Sequence, residues 1–444
     1  PKLDVDEHGW VKRLEPGCYA ETPMCTIDGG HFPSGVYTVF YCGKGKITFM
    51  NATVQKEEPG RIEVAVESKY GAFWLQIRET DPENPIRDIR VYMPGYGTSK
   101  SRKAYGEWNP GFLATWRGVD TVRFMDMQET NNSELEKWSD RPVREDGTFT
   151  RNGAPVETLC DLANRLDANP WFCVPHLADD DFVRNMARTI RKNLKPGLKV
   201  YVEYSNEVWN GQFKQCQYAE KMGKAILPDG KPWECAWAWT GHRSVEIFKI
   251  FEKEFGPEKE RLVRVIATQA ANAYVSERIL EVNDAGKHAD ALAIAPYVMQ
   301  CINSEWADGV VSAGVPGCKE YMEKTALPQA IKWIQEQKKI ADKYGLELVC
   351  YEAGQHLVGL WGANDRPEVN EICYAVNASE EMGKIYEAYF RAWEECGGGL
   401  MCHFSSTGQW SKWGCWGLRQ YADEKPEQYP KFREFLKAME RWNK

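Results

Sequence analysis

Residues 198–210 read Leu-Lys-Val-Tyr-Val-Glu-Tyr-Ser-Asn-Glu-Val-Trp-Asn, and this stretch decides how the fold is interpreted. An apolar pattern over its first half predicts a β-strand. Asn206 and Glu207 follow that strand directly, and Trp209 lies just beyond them. The pattern therefore predicts a carboxylate, an amide and an indole together at the carboxyl end of a strand.

These three side chains suit sugar chemistry. An amide can bind a ring hydroxyl, a carboxyl group can exchange a proton with a glycosidic oxygen, and an indole can stack on a sugar face. A second strand pattern within residues 346–356 ends in the same way at Glu352. Two carboxylates at strand ends are what glycoside hydrolysis requires.

The rest of the chain indicates how those strands are arranged. From residue 86 onward the sequence repeats a strand, a loop and a helix, which predicts an α/β fold, a (β/α)8 TIM barrel. An open doubly wound sheet is the rival, but no G-x-G-x-x-G follows a strand and no Walker loop occurs. The eight strand patterns are Ile86–Met93, Thr121–Met127, Trp171–Pro175, Lys199–Tyr204, Leu262–Ala267, Ala291–Ala295, Leu346–Tyr351 and Gly399–Phe404.

The first 85 residues have a different character. Short strand patterns recur there between Gly, Pro and Asn residues, which predicts a small β-rich, sandwich-like domain. We therefore expect an accessory domain over residues 1–85 and a catalytic barrel over residues 86–444.

A barrel places its active groups at the carboxyl ends of several strands. Polar and aromatic residues do follow the predicted strands, so we expect them to converge on one face. Beyond the residues already named, the candidates for substrate binding are Arg123 in strand two, His176 after strand three, Gln269 at strand five, Tyr297 at strand six, Gln355 and His356 after strand seven, and Trp410, Trp413 or Trp416 after strand eight.

The composition of the chain argues against several classes of function. The net charge of −8 argues against a nucleic-acid binder, and no apolar run reaches the roughly 20 residues that span a bilayer. The fourteen cysteines show no C-x-x-C pair and the seven histidines are scattered, so we expect no metal and no cofactor. The chain begins without an apolar signal segment, so any signal peptide has been removed or never existed.

The motif residues resemble those of the clan A glycoside hydrolases, (β/α)8 retaining enzymes that include cellulases, xylanases and mannanases. That clan has an Asn-Glu pair at the end of strand four and a nucleophilic Glu at the end of strand seven, which Asn206-Glu207 and Glu352 match. Its Arg near strand two, His after strand three, Tyr at strand six and Trp at strand eight correspond to Arg123, His176, Tyr297 and one of the three late tryptophans. The chain departs from the pattern before Tyr297, where the clan often has a His, and no single characterised family is matched.

The resemblance implies a retaining hydrolase of β-glycosidic bonds that acts on a polysaccharide, with plant cell-wall glucan, xylan or mannan as the first expectation. Glu352 would be the nucleophile and Glu207 the acid/base, roughly 5–5.5 Å apart. Arg123 and Tyr297 would stabilise the charge of Glu352, and Asn206 would bind the 2-hydroxyl. We expect a monomer whose partner is a polysaccharide or oligosaccharide, and a secreted or periplasmic bacterial location because such a substrate is polymeric.

Several alternatives stay open. Glu203 is a rival carboxylate within the same strand, and strand alternation points it the same way as Glu207. The pattern Asp179–Asp181 predicts the N-terminal cap of the helix that follows. A metal-dependent hydrolase that uses these aspartates with His176 is an alternative function. An exo-acting glycosidase, or a carbohydrate-binding protein without catalysis, would also use this scaffold. The tryptophans of residues 233–239 would serve either as a local core or as a wall of the cleft.

Overall fold

The computed structural model describes residues 3–442, and the chain forms two compact units. The first unit runs to Trp116 and takes in Pro142–Arg151, and the second comprises Arg117–Arg141 and the chain from Asn152 onward. The boundary expected at residue 85 therefore lies inside the first unit. The division into an accessory and a catalytic domain stays a prediction.

The first unit is a β-rich structure, as the sequence predicted. A three-stranded sheet has the order β3-β8-β5 and a four-stranded sheet the order β6-β7-β4-β9, and all pairings are antiparallel. The elements are β1 Asp4–Val5, β2 Val11–Arg13, β3 Ala20–Met24, β4 Gly35–Cys42, β5 Gly45–Met50, β6 Ala52–Glu58, β7 Arg61–Val66, β8 Phe73–Thr80, β9 Arg87–Tyr92, α1 Ser99–Tyr105 and α2 Pro110–Trp116.

Alternating burial along the strands builds the core of this unit. In β7 every second residue is buried, which is the period that places alternate side chains on one face. Ile62 and Val64 of that strand pack in one cluster with Val39, Phe73 and Leu75. Burying each such side chain contributes roughly 1.5–3 kcal/mol relative to exposure.

The second unit is a parallel barrel surrounded by helices, so the predicted fold class is confirmed. Seven strands pair in the order β10-β11-β12-β13-β14-β16-β18, and the two outer strands approach each other to nearly close the sheet. These strands are β10 Thr121–Arg123, β11 Asn169–Val174, β12 Val200–Tyr204, β13 Leu262–Ala267, β14 Ala291–Ile294, β16 Glu347–Ala353 and β18 Met401–His403.

Two further strands extend the barrel at its carboxyl edge. β15 Val298–Ile302 and β17 Gln355–Gly359 form a separate parallel pair that begins shortly after β14 and β16 end. The helices of the second unit are α3 Val156–Leu166, α4 Asp180–Asn193, α5 Lys214–Gly223, α6 Pro232–Phe255, α7 Ala273–Glu281, α8 Ala285–His288, α9 Ala307–Tyr321, α10 Leu327–Tyr344, α11 Pro367–Asn377, α12 Glu380–Glu395 and α13 Pro430–Trp442.

Large and small side chains share the barrel interior. The rings of Trp171 and Tyr201 stack with centroids 5.3 Å apart. They belong to the same buried cluster as Ala291, Ala293 and Val349. Two alanines on one strand leave room for two large rings on others, which fills the interior without a pore.

One predicted barrel strand was wrong. The pattern Ile86–Met93 corresponds to β9, which pairs antiparallel with β4 in the first unit. Every residue of β9 is half-buried, whereas all five residues of β12 are buried. A half-buried strand suits an antiparallel sheet, and a fully buried one suits a parallel barrel. Arg123, expected in strand two, therefore lies in the first strand of the observed barrel.

Candidate active site

The end of β12 departs from regular strand geometry at the Asn-Glu pair. Ser205 and Glu207 have positive φ angles of 55° and 44°. Such angles are uncommon for residues other than glycine and occur often at functional sites. The strand alternation that linked Glu203 to Glu207 therefore stops at Ser205, and the two carboxylates lie in different environments.

Arg123 joins three of the predicted residues. Its Nη1 donates to Glu352 Oε1 at 2.9 Å, and its Nη2 donates to Asn206 Oδ1 at 2.8 Å. Nε and Nη2 also hold both oxygens of Glu203, at 2.9–3.0 Å. Trp171 Nε1 also donates to Glu203 Oε2 at 2.8 Å. The guanidinium thus binds the ends of β12 and β16 to β10.

Glu352 is 8 % exposed and accepts from two strong donors. One of its oxygens takes the Arg123 bond, and the other accepts from the hydroxyl of Tyr297 at 2.9 Å. A cation and a phenol directed at the two oxygens favour the ionised carboxylate.

Glu207 has only neutral donors. Its Oε1 accepts from the hydroxyl of Tyr351 at 3.1 Å, and its Oε2 accepts from Asn210 Nδ2 at 2.9 Å. Tyr351 directly precedes Glu352 in the chain, so this bond brings the tip of β12 to the tip of β16.

The electrostatics of the two carboxyl groups differ accordingly. Burial raises the pKa of Glu207, opposed first by the Asn210 and Tyr351 hydrogen bonds. Burial also raises the pKa of Glu352, opposed by Arg123 and Tyr297, and the charge of Glu207 raises it further. The Arg123 cation contacts Glu352 directly, whereas Glu207 has only neutral donors, so Glu352 is the better placed of the two to carry a negative charge.

Asn206 is held by an amide network. Its Nδ2 donates to Asn131 Oδ1 at 3.0 Å, and Gln215 Nε2 donates to the same oxygen at 2.7 Å. Gln215 also donates to the carbonyl oxygen of Asn206 at 2.8 Å. Because Asn206 Oδ1 is held by Arg123, the orientation of the amide is fixed at both ends.

An aromatic group surrounds the phenol that contacts Glu352. The Trp416 ring lies 4.8 Å from that of His356 and 6.0 Å from that of Tyr297. Burial lowers the pKa of His356, which favours its neutral form. Of the three late tryptophans, Trp416 is therefore the one that lies beside Tyr297, whose hydroxyl donates to Glu352. Trp410 instead packs against Tyr429, and Trp413 is exposed.

Two other predicted residues have structural contacts, and a third has a buried nitrogen without one. Gln355 is buried and donates to the carbonyl oxygen of Cys415 at 2.9 Å. The carbonyl oxygen of Gln269 accepts from Gln337 at 3.0 Å. Trp209 Nε1 is buried without a hydrogen-bond partner among residues 3–442. Substrate binding by these residues stays a prediction.

His176 is a buried neutral histidine. Its ring packs edge-on against Tyr218, with centroids 5.5 Å apart, and burial lowers its pKa to about 4. The neighbouring aspartates have other partners, since Asp179 caps α4 through Phe182 N at 2.7 Å and Asp180 pairs with Arg243 at 2.8 Å. The helix-cap interpretation is thus confirmed for Asp179, and these contacts do not favour the metal-dependent rival.

Three contacting residues were not predicted from the sequence, namely Tyr351, Asn210 and Gln215. A fourth, Asn131, is one of the polar residues that follow the predicted second strand and were expected on this face. Asn210 follows the motif closely and a carboxylate partner could have been sought there. Tyr351 directly precedes Glu352 on β16, whereas Gln215 reaches the site from α5 and no local pattern marks it.

Comparison with known proteins shows that this chain resembles solved structures in fold only. No family model and no curated protein matches. Similar solved structures include a 4-O-α-L-rhamnosyl-β-D-glucuronidase from Fusarium oxysporum, at 12 % identity and a TM-score of 0.45, covering 78 % of this chain and 66 % of that one. The chain therefore spans slightly less than two thirds of that protein.

Two further similar structures are also glycosidases. One is an endo-β-1,4-mannanase from Cellulomonas fimi, at 10 % identity and a TM-score of 0.38, covering 74 % of this chain and 72 % of that one. Another is a GH5-4 broad specificity endoglucanase from Clostridium cellulovorans, at 11 % identity and a TM-score of 0.39, covering 79 % and 91 %. All three of these solved structures are glycosidases, and no single family is matched.

Two further observations concern membrane-spanning helices and disulfide bonds. Among the helices of residues 3–442, none is long and apolar enough to cross a membrane. No disulfide bond joins the cysteines of this described part of the chain.

Proposed function

We propose that this protein is a retaining glycoside hydrolase that cleaves β-glycosidic bonds in a polysaccharide. One observation carries the proposal: Glu352 accepts from Arg123, while Tyr351, the residue before it, donates to Glu207. Two carboxyl groups at the tips of β12 and β16, one paired with a cation and one with neutral donors, have the division of roles that double displacement requires.

In the first step Glu352 attacks the anomeric carbon. A bond forms between its carboxylate oxygen and that carbon, the glycosidic C–O bond breaks, and the leaving oxygen takes the proton of Glu207. In the second step Glu207 removes a proton from water, the water oxygen bonds to the anomeric carbon, and Glu352 leaves as a carboxylate. The anomeric configuration is retained because it is inverted twice.

The surrounding residues have supporting roles in this proposal. Arg123 and Tyr297 hold Glu352 ionised and oriented through the bonds to its two oxygens. The amide of Asn206, fixed by Arg123 and Asn131, would bind the 2-hydroxyl of the sugar in the cleft. Trp416 would border the same sugar beside Tyr297.

The test is hydrolysis of a panel of aryl β-glycosides by the wild type and by Glu207→Gln and Glu352→Gln. We expect loss of a general acid to cost about 10²–10⁴-fold in rate on poor leaving groups and much less on dinitrophenyl glycosides, which need little protonation. Azide should restore turnover of dinitrophenyl glycosides by the Glu207 variant, because it attacks without a general base. Unchanged turnover in either variant on every substrate would reject the assignment.

A further inference from the structure

A buried lysine lies at the start of the last helix. Lys431 is the second residue of α13 and is 0 % exposed. Among residues 3–442 no carboxylate forms an ion pair with its ammonium group, and burial lowers its pKa to about 7. A positive charge in the first turn of a helix is also unfavourable, because that end of the helix dipole is positive. Burial and position both oppose a lysine here, which indicates that the contacts of its nitrogen have a specific role.

The contacts of Lys431 are with neutral groups. Its Nζ donates to the carbonyl oxygen of Cys415 at 2.6 Å and to Asn377 Oδ1 at 3.3 Å. The same nitrogen lies 5.5 Å from the centroid of the Trp410 ring. The lysine therefore joins the start of α13 to the end of α11 and to the loop that follows β18, and its shortest bond is to that loop.

The carbonyl oxygen of Cys415 accepts a second hydrogen bond. Gln355 Nε2 donates to it at 2.9 Å, and Gln355 Oε1 in turn accepts from Leu357 N at 2.7 Å. Gln355 is the first residue of β17, directly after the turn that ends β16. Cys415 itself is 0 % exposed. Two donors on separate elements thus fix the backbone of the loop at Cys415.

The next residue along this loop is Trp416, which borders the candidate active site. Its carbonyl oxygen accepts from Ser405 N at 3.2 Å, and its half-buried ring lies 6.0 Å from that of Tyr297. The Tyr297 hydroxyl donates to Glu352. Because Trp416 is bonded directly to Cys415, a shift of the Cys415 carbonyl group would move the indole that packs on Tyr297.

We propose that Lys431 is a positioning residue for the candidate active site, which holds the Trp416 ring against Tyr297 through the carbonyl oxygen of Cys415. Its effect on turnover rests on the proposed function, whereas the position of the ring does not. The indole then borders the bound sugar, and the Tyr297 hydroxyl stays directed at Glu352.

A lysine that only packs α13 against its neighbours is the alternative. It predicts a loss of stability when Lys431 is replaced, but no change in the surroundings of Trp416 in the protein that remains folded. A loss of folded protein lowers kcat alone, whereas a displaced indole beside the sugar also raises KM. The two roles therefore differ in the environment of the Trp416 ring and in KM.

Fluorine NMR of the full chain with 5-fluorotryptophan in place of tryptophan tests the position of the ring without any substrate. Trp416→Phe identifies the Trp416 resonance by its absence. We expect Lys431→Met, which keeps the stem and removes the donor, to shift or broaden that resonance. Spectra at pH 9, above the pKa of Lys431, exclude a simple effect of the lost charge.

Two further variants complete this measurement. Gln355→Met removes the other donor to the same carbonyl oxygen and should change the same resonance, so it provides the test if Lys431→Met does not fold. Lys437→Met, at an exposed lysine of the same helix, is the matched control and should leave the Trp416 resonance unchanged. An unchanged Trp416 resonance in folded Lys431→Met, or in Gln355→Met where Lys431→Met does not fold, would overturn the inference.

Hydrolysis of an aryl glycoside provides the second measurement. We expect Lys431→Met to lower kcat/KM about fivefold to tenfold with a raised KM, and Lys437→Met to match the wild type. The double variant Lys431→Met/Trp416→Phe should be no slower than Trp416→Phe alone, because both changes act on one group. Losses that multiply in the double variant would overturn the inference. Absence of hydrolysis in every protein, with the Trp416 resonance still dependent on Lys431, would reject the proposed function and keep the positioning of Trp416.

Discussion

The hydroxyl of Tyr351 donates to Glu207 Oε1 at 3.1 Å, so the residue before one proposed catalytic carboxylate positions the other. This hydrogen bond lowers the pKa of Glu207, in opposition to burial. A general acid acts only while protonated, so the activity is lost as the pH rises through the pKa of Glu207.

Replacement of Tyr351 by Phe should therefore raise the pKa of Glu207 further. We expect the alkaline limb of the kcat/KM profile on an aryl glycoside to move to higher pH. Tyr70→Phe, at an exposed tyrosine of the first unit, should leave the profile unchanged. A shift of the alkaline limb to lower pH would contradict the assignment of Glu207 as the acid.

Tyr297→Phe should move the acid limb of the kcat/KM profile. The Tyr297 hydroxyl lowers the pKa of Glu352, and a nucleophile acts only while ionised, so activity is lost as the pH falls through that pKa. Removing the hydroxyl raises the pKa, and the acid limb of kcat/KM should move to higher pH. If the same substitution moves only the alkaline limb, the two carboxylates have been assigned in the wrong order.

Arg123 should matter to stability as well as to catalysis. Arg123→Met leaves Glu203, which is 1 % exposed, without its counter-charge, and we expect a loss of about 3–5 kcal/mol in the free energy of unfolding measured in urea. The double variant Arg123→Met/Glu203→Gln removes the charge left at Glu203, although Glu352 still lacks its cation, and should regain part of that stability.

Activity should separate from stability in these variants. The double variant still lacks the donor to Glu352, so its kcat/KM should stay depressed even where its stability is regained. Recovery of activity together with stability would show that Arg123 has only a structural role.

The sequence predicted those site residues whose reactive side chains stand beside a clear strand pattern. Asn206 and Glu207 follow β12 and Glu352 lies near the end of β16, and both strands have clear apolar runs in the sequence. Fully buried parallel strands and amphipathic helices each carry a strong local signal.

The parts of the fold and of the site that the sequence did not predict depend on contacts between residues that are far apart in the chain. The sequence of β9 alternates apolar and polar residues only over Ile89–Val91, and all six residues are half-buried, so its pattern could not tell an antiparallel sheet from a barrel. Regular alternation would direct Tyr351 and Glu352 to opposite faces, but the register between β16 and β18 shifts between Cys350 and Ala353. Both side chains contact site residues beside this irregularity. Glu203, on β12, is bound by Arg123 through both of its oxygens.

A buried lysine predicts a pH dependence of stability. Lys431 is fully buried and donates to the carbonyl oxygen of Cys415 at 2.6 Å, and burial lowers its pKa from the usual 10.5 to about 7. Between these values the unfolded chain binds a proton that the folded chain does not, so this lysine makes stability rise with pH from about 7 to 10.5.

Lys431→Met should remove this contribution. Urea unfolding at pH 7, 8 and 9 should show the stability of the wild type rising relative to the variant by up to about 1.4 kcal/mol per pH unit. Lys437→Met, at an exposed lysine of the same helix, is the control and should show no such trend. A constant difference between wild type and Lys431→Met across this range would contradict the shifted pKa.

The most direct test of the account is to locate the covalent intermediate. A 2-deoxy-2-fluoro glycoside with a dinitrophenyl leaving group, matched to an aryl glycoside that the protein hydrolyses, slows the second step more than the first and traps the sugar on the nucleophile. Peptide mass spectrometry should find one sugar attached to Glu352 and none in the Glu352→Gln variant. Attachment to Glu207 or Glu203, or turnover of the parent glycoside with no sugar ever found on Glu352, would contradict the central claim.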